Sequence, residues 1–316
     1  MDSLTKNRQS RRTLEEMAAK IFAGEEMENC TELTEGYFNV AYEVRLKSGK
    51  ETILKVAPQK NVRVMSYEKN IMFSEVQAMK MAASCPEIPV PEIYGYDSSC
   101  TVCPSPYFFM EKLEGASLFS MKDTLPREEI SRIQVEAGGL NRKINEISCP
   151  CFGLPGQPKL QGEEWFPVFR SMLELGLQDA EAGKVDLKIS GAGLLEHLEK
   201  DKDIFYEVKV PKLVHWDLWD GNIFVQNGKI TGFIDWERSL WADPLMEVGF
   251  RTYKENEDFI KGYGIAAMAE TQRRRALWYD IYLLVLVSLE CEYRKYETME
   301  MYEWSTGLLA RQFGKL

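Results

Sequence analysis

His215, Asp217 and Asn222 stand in the order His-x-Asp-x-x-x-x-Asn. The apolar run Ile223-Phe224-Val225 follows at once, then Asn227-Gly228, then Ile230 to Ile234 leading into Asp235. Asn-Gly suits a two-residue hairpin loop, because both centre positions need positive φ. A hairpin there folds the segment back and brings Asn222 and Asp235 to one end, as two oxygen donors for one hard cation. Mg²⁺ commonly takes one or two carboxylates together with phosphate oxygens, so these two are a sufficient protein share. Asp217 beside them is placed to accept the proton of an attacking hydroxyl. The chemistry this set suits is phosphoryl transfer. With 2 His, 13 Asp and 10 Asn in 316 residues, chance supplies such a spacing roughly 0.003 times per chain.

The His-x-Asp-x-x-x-x-Asn motif followed by Ile234-Asp235-Trp236-Glu237 resembles the phosphotransferase family of aminoglycoside, choline, homoserine and fructosamine kinases. That family has the protein-kinase fold and acts on small molecules. Protein kinases write the same motifs as His-Arg-Asp and Asp-Phe-Gly. Here Trp216 stands in place of the Arg, and Trp236-Glu237 in place of Phe-Gly. Both differences point to the small-molecule branch. So does Asp243-Pro244, which arrives eight residues after Asp235 and leaves no length for a peptide-docking activation segment. Two rivals remain: a protein kinase, which lacks an Ala-Pro-Glu motif here, and a non-catalytic nucleotide-binding pseudokinase, which would usually have lost one of these residues.

The elements that must position this set are readable in outline. Thr13-x-x-Glu16 reads as a capping box before a helix with Leu14, Met17, Ala18 and Ile21 at helical spacing. Strands are expected over Glu32 to Tyr37, Asn39 to Leu46 and Thr52 to Val56, with later ones over Glu92 to Tyr96 and Tyr107 to Met110. Lys55 lies within the apolar Ile53-Leu54-Lys55-Val56. Burying a lysine is costly unless it is paired. The resemblance gives Lys55 the nucleotide phosphates and gives its partner role to Glu75, with Glu68 in reserve, on a helix over Ser66 to Ala83. It places the hinge at Met110 to Leu113: the carbonyl of Glu111 and the N–H of Leu113 would read adenine, with Met110 behind the pocket. The loop Glu35-Gly36-Tyr37-Phe38-Asn39 would cover the phosphates with a single glycine.

Helices are expected over Arg127 to Asn145, Glu163 to Gly183, Leu194 to Tyr206, Arg273 to Glu292 and Glu297 to Phe313. Asp243 reads as a helix cap before Pro244. Asn145 stands where many relatives carry a His and is expected to be chemically unimportant. Asp280 and Glu290 are the candidate acceptor-binding acids. With the acidic composition they hint at a cationic acceptor such as an amino sugar, aminoglycoside or amino alcohol.

Composition sets the outer bounds. Apolar content of 45% and charged content of 28% describe an ordinary globular protein. A net charge of −10 disfavours nucleic acid and anionic membrane as partners. No apolar run occurs within residues 1–24, so a signal peptide is not expected, and Ile281 to Leu289 is too short to span a bilayer; a cytoplasmic protein is expected from the cysteine usage. Seven cysteines, odd in number and irregular in spacing, argue against a disulfide framework. The fold expected is α+β and protein-kinase-like, two-lobed, with a five-stranded antiparallel N-lobe over residues 1–112 and a mainly helical C-lobe over 113–316. Its expected reaction moves the γ-phosphate of ATP, with Mg²⁺, to a small-molecule hydroxyl or amine.

Overall fold

The computed structural model describes residues 5–34, 36, 38–265 and 267–316. They fall into two compact units. The first comprises the described residues of Met1–Val64, Pro91–Leu113 and Glu292–Glu297. Helix α1 (Arg11–Ile21) opens it. Its cap is Ser10, whose Oγ accepts from the Thr13 N–H at 3.2 Å. The expected box at Thr13 therefore starts one turn too late: Glu16 pairs instead with Arg12 in an i,i+4 contact. Leu14, Met17 and Ala18 form the buried stripe of α1 and pack into the core of the adjoining sheet.

That sheet has five strands: β1 (Met27–Leu33), β2 (Val40–Leu46), β3 (Glu51–Val56), β4 (Ile93–Asp97) and β5 (Tyr107–Glu111). Their order is β1-β2-β3-β5-β4, antiparallel at every step. Alternation decides the buried face: Val40, Tyr42, Val44 and Leu46 all point into the core. The expected first strand, Glu32 to Tyr37, lies several residues too late. Pairing with β2 runs from Met27 opposite Leu46 to Leu33 opposite Ala41, and local residue preference carries no trace of that register. Glu35 and Tyr37 lie outside the described residues.

The second unit comprises Met65–Val90, Glu114–Cys291 and Thr298–Leu316. A single cut at residue 112 differs from this division, because Met65–Val90 packs with the later chain. In particular, α2 (Ile71–Ala83) lies against the turn Trp236–Arg238. The expected helix from Ser66 is broken at Asn70, which takes φ 55° between a 3-10 turn at Ser66–Glu68 and α2. Then come β6 (Ala116–Ser117), α3 (Leu118–Met121), α4 (Arg127–Glu146), β7 (Phe152–Gly153), β8 (Gln161–Gly162), α5 (Trp165–Gly183), α6 (Gly191–Lys200) and α7 (Lys202–Phe205). Strands β9 (Lys212–Val214), β10 (Ile223–Gln226), β11 (Lys229–Phe233) and β12 (Leu240–Ala242) carry the motif region. Helices α8 (Glu257–Tyr263), α9 (Glu270–Arg294) and α10 (Glu300–Phe313) close the list. Residues Ile281 to Leu289 are buried within α9. Among the described residues no helix is long and apolar enough to cross a membrane.

The hairpin forms at the expected turn. Gln226 and Lys229 pair across Asn227 (φ 50°) and Gly228 (φ 71°), and Arg132 of α4 donates to the Gly228 carbonyl at 2.6 Å. The edge of β10 is covered by β6, with Val225 opposite Ala116. That close approach requires Gly115: its φ is +96°, and a Cβ there would sit 2.2 Å from the Val225 carbonyl oxygen. Gly115→Ala is therefore expected to destabilise the protein by about 2–4 kcal/mol. Chemical denaturation with two probes should show the lowered midpoint.

Candidate active site

Strand β9 ends in the loop His215-Trp216-Asp217, and one buried acid holds that loop. Glu247 is fully buried. Its Oε1 accepts from the His215 N–H and its Oε2 from the Trp216 N–H, both at 2.9 Å. Asn145 of α4 donates to the same Oε1 at 2.9 Å and to the Leu213 carbonyl at 2.8 Å. In turn Asn145 Oδ1 accepts from the Tyr263 hydroxyl at 2.8 Å. Burial pushes the Glu247 carboxyl above its ordinary range, while these donors oppose the shift. The sequence reading missed Glu247 and set Asn145 aside. The available signal was an acid inside the apolar run Pro244-Leu245-Met246-Glu247-Val248.

This support is needed because Trp216 adopts φ 65°, a left-handed conformation that bulky L-residues rarely take. Three contacts hold it there. Its N–H is taken by Glu247, and its carbonyl accepts from Arg251 Nη2 at 3.4 Å. Its ring stacks on Tyr282 with centroids 5.4 Å apart and planes 4° apart. His215 supports the same loop from within. Nδ1 lies 3.3 Å from the Asp217 N–H and Nε2 lies 3.1 Å from the Ile234 carbonyl. This pairing fits the neutral tautomer that carries its proton on Nε2. The ring also packs on Trp236, with centroids 4.5 Å apart.

Asp217, Asn222 and Asp235 come together as the hairpin geometry predicts. The Asn222 carbonyl accepts from the Ile234 N–H at 3.0 Å, and Asn222 Nδ2 donates to the Asp217 carbonyl at 2.8 Å. With Nδ2 given to that carbonyl, the amide oxygen of Asn222 is the atom left to serve a cation. Asp235 is partly exposed at φ 61°, a conformation Asp tolerates better than most residues. One carboxylate and one amide oxygen are a hard donor set that suits Mg²⁺. Asp217 keeps some exposure to solvent, yet its carboxyl is enclosed by protein. That desolvation pushes its pKa up to about 6, with Asp235 and Glu290 adding to the rise and Arg238 and Arg251 opposing it.

The two candidate acceptor acids are already engaged. Glu290 pairs with Arg238 at 2.7 Å. Asp280 lies 3.6 Å from Arg251 and accepts from the Thr252 N–H at 2.7 Å and the Thr252 hydroxyl at 2.5 Å. Asp280 thus braces the loop through Arg251. Asp243 caps the short turn Pro244–Met246 as expected, accepting from the Leu245 N–H at 3.1 Å. It also takes Arg275 and Tyr279, each at 2.8 Å, which makes it structural. Trp165 is core, donating to the Tyr279 hydroxyl at 2.8 Å.

The remaining candidates divide between the units. Lys55 is buried on β3, opposite Ala41 on one side and Phe108 on the other. Met110 is buried, and its carbonyl accepts from the Thr52 hydroxyl at 2.6 Å. Glu111 ends β5, with its N–H on the Glu92 carbonyl at 2.8 Å, and Leu113 is half-buried beyond it. In the second unit Glu75 is fully buried in the middle of α2. Glu68 is engaged locally, accepting from the Met65 N–H at 2.8 Å.

The sequence model of the phosphotransferase enzyme family matches residues 29–278. The chain belongs to that family. Over 122 residues, 38% of the chain, it is 30% identical to a subtelomeric hrmA-associated cluster protein of Aspergillus fumigatus, and the match covers 23% of that protein. The chain thus spans less than a quarter of the length of that curated relative. Among solved structures, it is similar to a thermostable mutant of aminoglycoside phosphotransferase APH(4)-Ia in ternary complex with ADP and hygromycin B. The two are 17% identical with TM-score 0.66, over 96% of this chain and 98% of the other. It is also similar to APH(2'')-IIa in complex with gentamicin, at 16% identity and TM-score 0.63, over 96% and 97%. At such identities the likeness is one of fold. That fold is the α+β, protein-kinase-like fold of these phosphotransferases, with its antiparallel five-stranded sheet and helical C-terminal region.

The raised pKa of Asp217 has a stability consequence. A carboxyl whose folded pKa lies above its unfolded value stabilises the fold at low pH, and that stability is lost as pH rises through the folded value. The ionised form costs up to about 3 kcal/mol at neutral pH. Asp217→Asn should therefore raise Tm at pH 7.5 and leave it nearly unchanged at pH 4, measured by calorimetry without nucleotide.

Proposed function

We propose that this phosphotransferase is an ATP-dependent kinase of a small molecule, with Asp217 as the catalytic base. The observation that supports this most is the arrangement around the loop. A carboxyl with a pKa near 6 stands beside a carboxylate and an amide oxygen suited to Mg²⁺, on a backbone fixed by Glu247. Above that pKa, Asp217 is ionised and takes the proton of the acceptor hydroxyl. The freed oxygen forms the bond to the γ-phosphorus as the bond to the β–γ bridging oxygen breaks, and ADP leaves. Asn222 and Asp235 would hold Mg²⁺, which when bound neutralises charge on the phosphates.

Lys55 is assigned to the nucleotide phosphates. Of the two candidate acids, Glu75, fully buried in the middle of α2, takes the nucleotide-side role, with Glu68 in reserve. Met110, Glu111 and Leu113 keep the adenine role that the family resemblance implies. Residues 1–112 would then serve the nucleotide, and 113–316 catalysis and the acceptor. The acceptor is a small-molecule hydroxyl, or less readily an amine, and the reaction would take place in the cytoplasm. The expectation of a cationic acceptor rests on the acidic composition together with Asp280 and Glu290, which lie beside Arg251 and Arg238.

ADP release with Mg²⁺, ATP and an acceptor panel tests the proposal. Asp217→Asn should lower kcat by roughly 10²–10⁴-fold with little change in KM for ATP. Equal turnover in both forms would reject the assignment. With wild type, kcat/KM for the acceptor should rise with pH as Asp217 ionises. For the nucleotide side, Glu75→Gln should raise KM for ATP, whereas Glu68→Gln should lower Tm and leave that KM unchanged.

A further inference from the structure

The segment that precedes α1 is tied down by polar contacts that the proposed site does not use. Asn7 is buried. Its Nδ2 donates to the Ala57 carbonyl at 2.9 Å and to the Ser105 hydroxyl at 3.0 Å. Its Oδ1 accepts from Gln9 Nε2 at 2.8 Å and from Gln59 Nε2 at 3.3 Å. Arg8 Nε meets both carboxylate oxygens of Glu32, at 3.0 and 2.8 Å, and the Gln9 N–H donates to the Tyr42 hydroxyl at 2.9 Å. Glu32 belongs to β1 and Tyr42 to β2, while Ala57 follows β3, so the segment is strapped across one end of the sheet. Buried amide hydrogen bonds are costly to break. Lys6, next to Asn7, therefore has a fixed backbone.

From this strap Lys6 reaches the loop that is expected to cover the nucleotide phosphates. Its Nζ donates to the Asn39 carbonyl at 2.9 Å. A Cβ at Gly36 would lie 3.7 Å from that Nζ and 3.7 Å from the same carbonyl oxygen, so the ammonium closes over the glycine of the loop. Lys55 stands near by in register. It is opposite Ala41, two residues past Asn39, and it lies two residues before Ala57, which Asn7 holds. A further cation, the buried Arg294, places its guanidinium 5.5 Å from the Phe38 ring centroid. All of these residues belong to the first unit. Lys6 and Arg294 lie outside residues 29–278, which the family model matches, so neither is carried over from the family. A glycine run takes phosphate on its backbone N–H groups, because the absence of side chains allows close approach. This loop has one glycine. A carbonyl orients an ammonium without cancelling its charge, and lysine serves phosphate as a point charge.

We infer that Lys6 is a nucleotide-binding residue, which supplies at the loop of Gly36 and Asn39 the positive charge for the phosphates that a glycine run supplies with backbone N–H groups. This rests on the reading that the first unit binds the nucleotide. Calorimetric titration of the full chain with Mg²⁺ tests it, with AMP-PNP as the probe and adenosine, which has no phosphate, as its control. Lys6→Gln can still donate to the Asn39 carbonyl but carries no charge. It should weaken AMP-PNP about tenfold and leave adenosine within about twofold. Lys6→Arg keeps the charge and should keep most of the AMP-PNP affinity. The inference is overturned if Lys6→Gln binds AMP-PNP as wild type does, or if it loses adenosine and AMP-PNP to the same degree, as a merely structural lysine would. Failure of the underlying reading looks different: wild type itself would bind no AMP-PNP, and the inference would fall with it.

Discussion

The Glu247 carboxyl is fully buried, so its stability depends on the donors it is given. Those donors are the backbone N–H groups of His215 and Trp216 and the amide of Asn145. The dependence runs both ways. Trp216 holds a backbone conformation that a large side chain would not take alone, and it persists because the N–H, the carbonyl and the ring are each fixed by a different element. Relaxation of Trp216 would move Asp217, the next residue, away from its partners. A buried acid thirty residues downstream therefore decides where the candidate base points.

Electrostatics around Asp217 follow from the same packing. Enclosure raises the Asp217 pKa and neighbouring acids raise it further, while Arg238 and Arg251 hold it within reach of neutral pH. Those arginines are themselves anchored on α9, through Glu290 and Asp280. A single long helix thus sets the charge felt at the His215–Asp217 loop and, through Tyr282, the stacking under Trp216. Two acids of α9, Glu290 and Asp280, thus stand as counterions to arginines beside the loop.

Local patterns were read well where the chemistry is local. Asn227-Gly228 specifies the turn because positive φ is required at both positions, and the chain adopts it there. Lys55 is buried in an apolar strand, where residue type alone favours a lysine turned to solvent. Errors came where a partner distant in sequence decides the outcome. The first strand begins at Met27 because β2 pairs with it from there. The helix after Ser66 breaks at Asn70, and its second part packs with the later chain.

The sequence by itself determined the motif residues, the hairpin that gathers Asn222 and Asp235, and the family, because these depend on residue type and short spacing. Only the tertiary structure decided that Asn145 and Glu247 fix the loop and that Asp280 and Glu290 are paired with arginines. It alone set Lys6 against the Asn39 carbonyl. Each of these is a contact between residues 29 to 118 positions apart. Whether a buried charge is free or spent depends on which partner the fold brings within a few ångströms, and spacing along the chain carries no information about that.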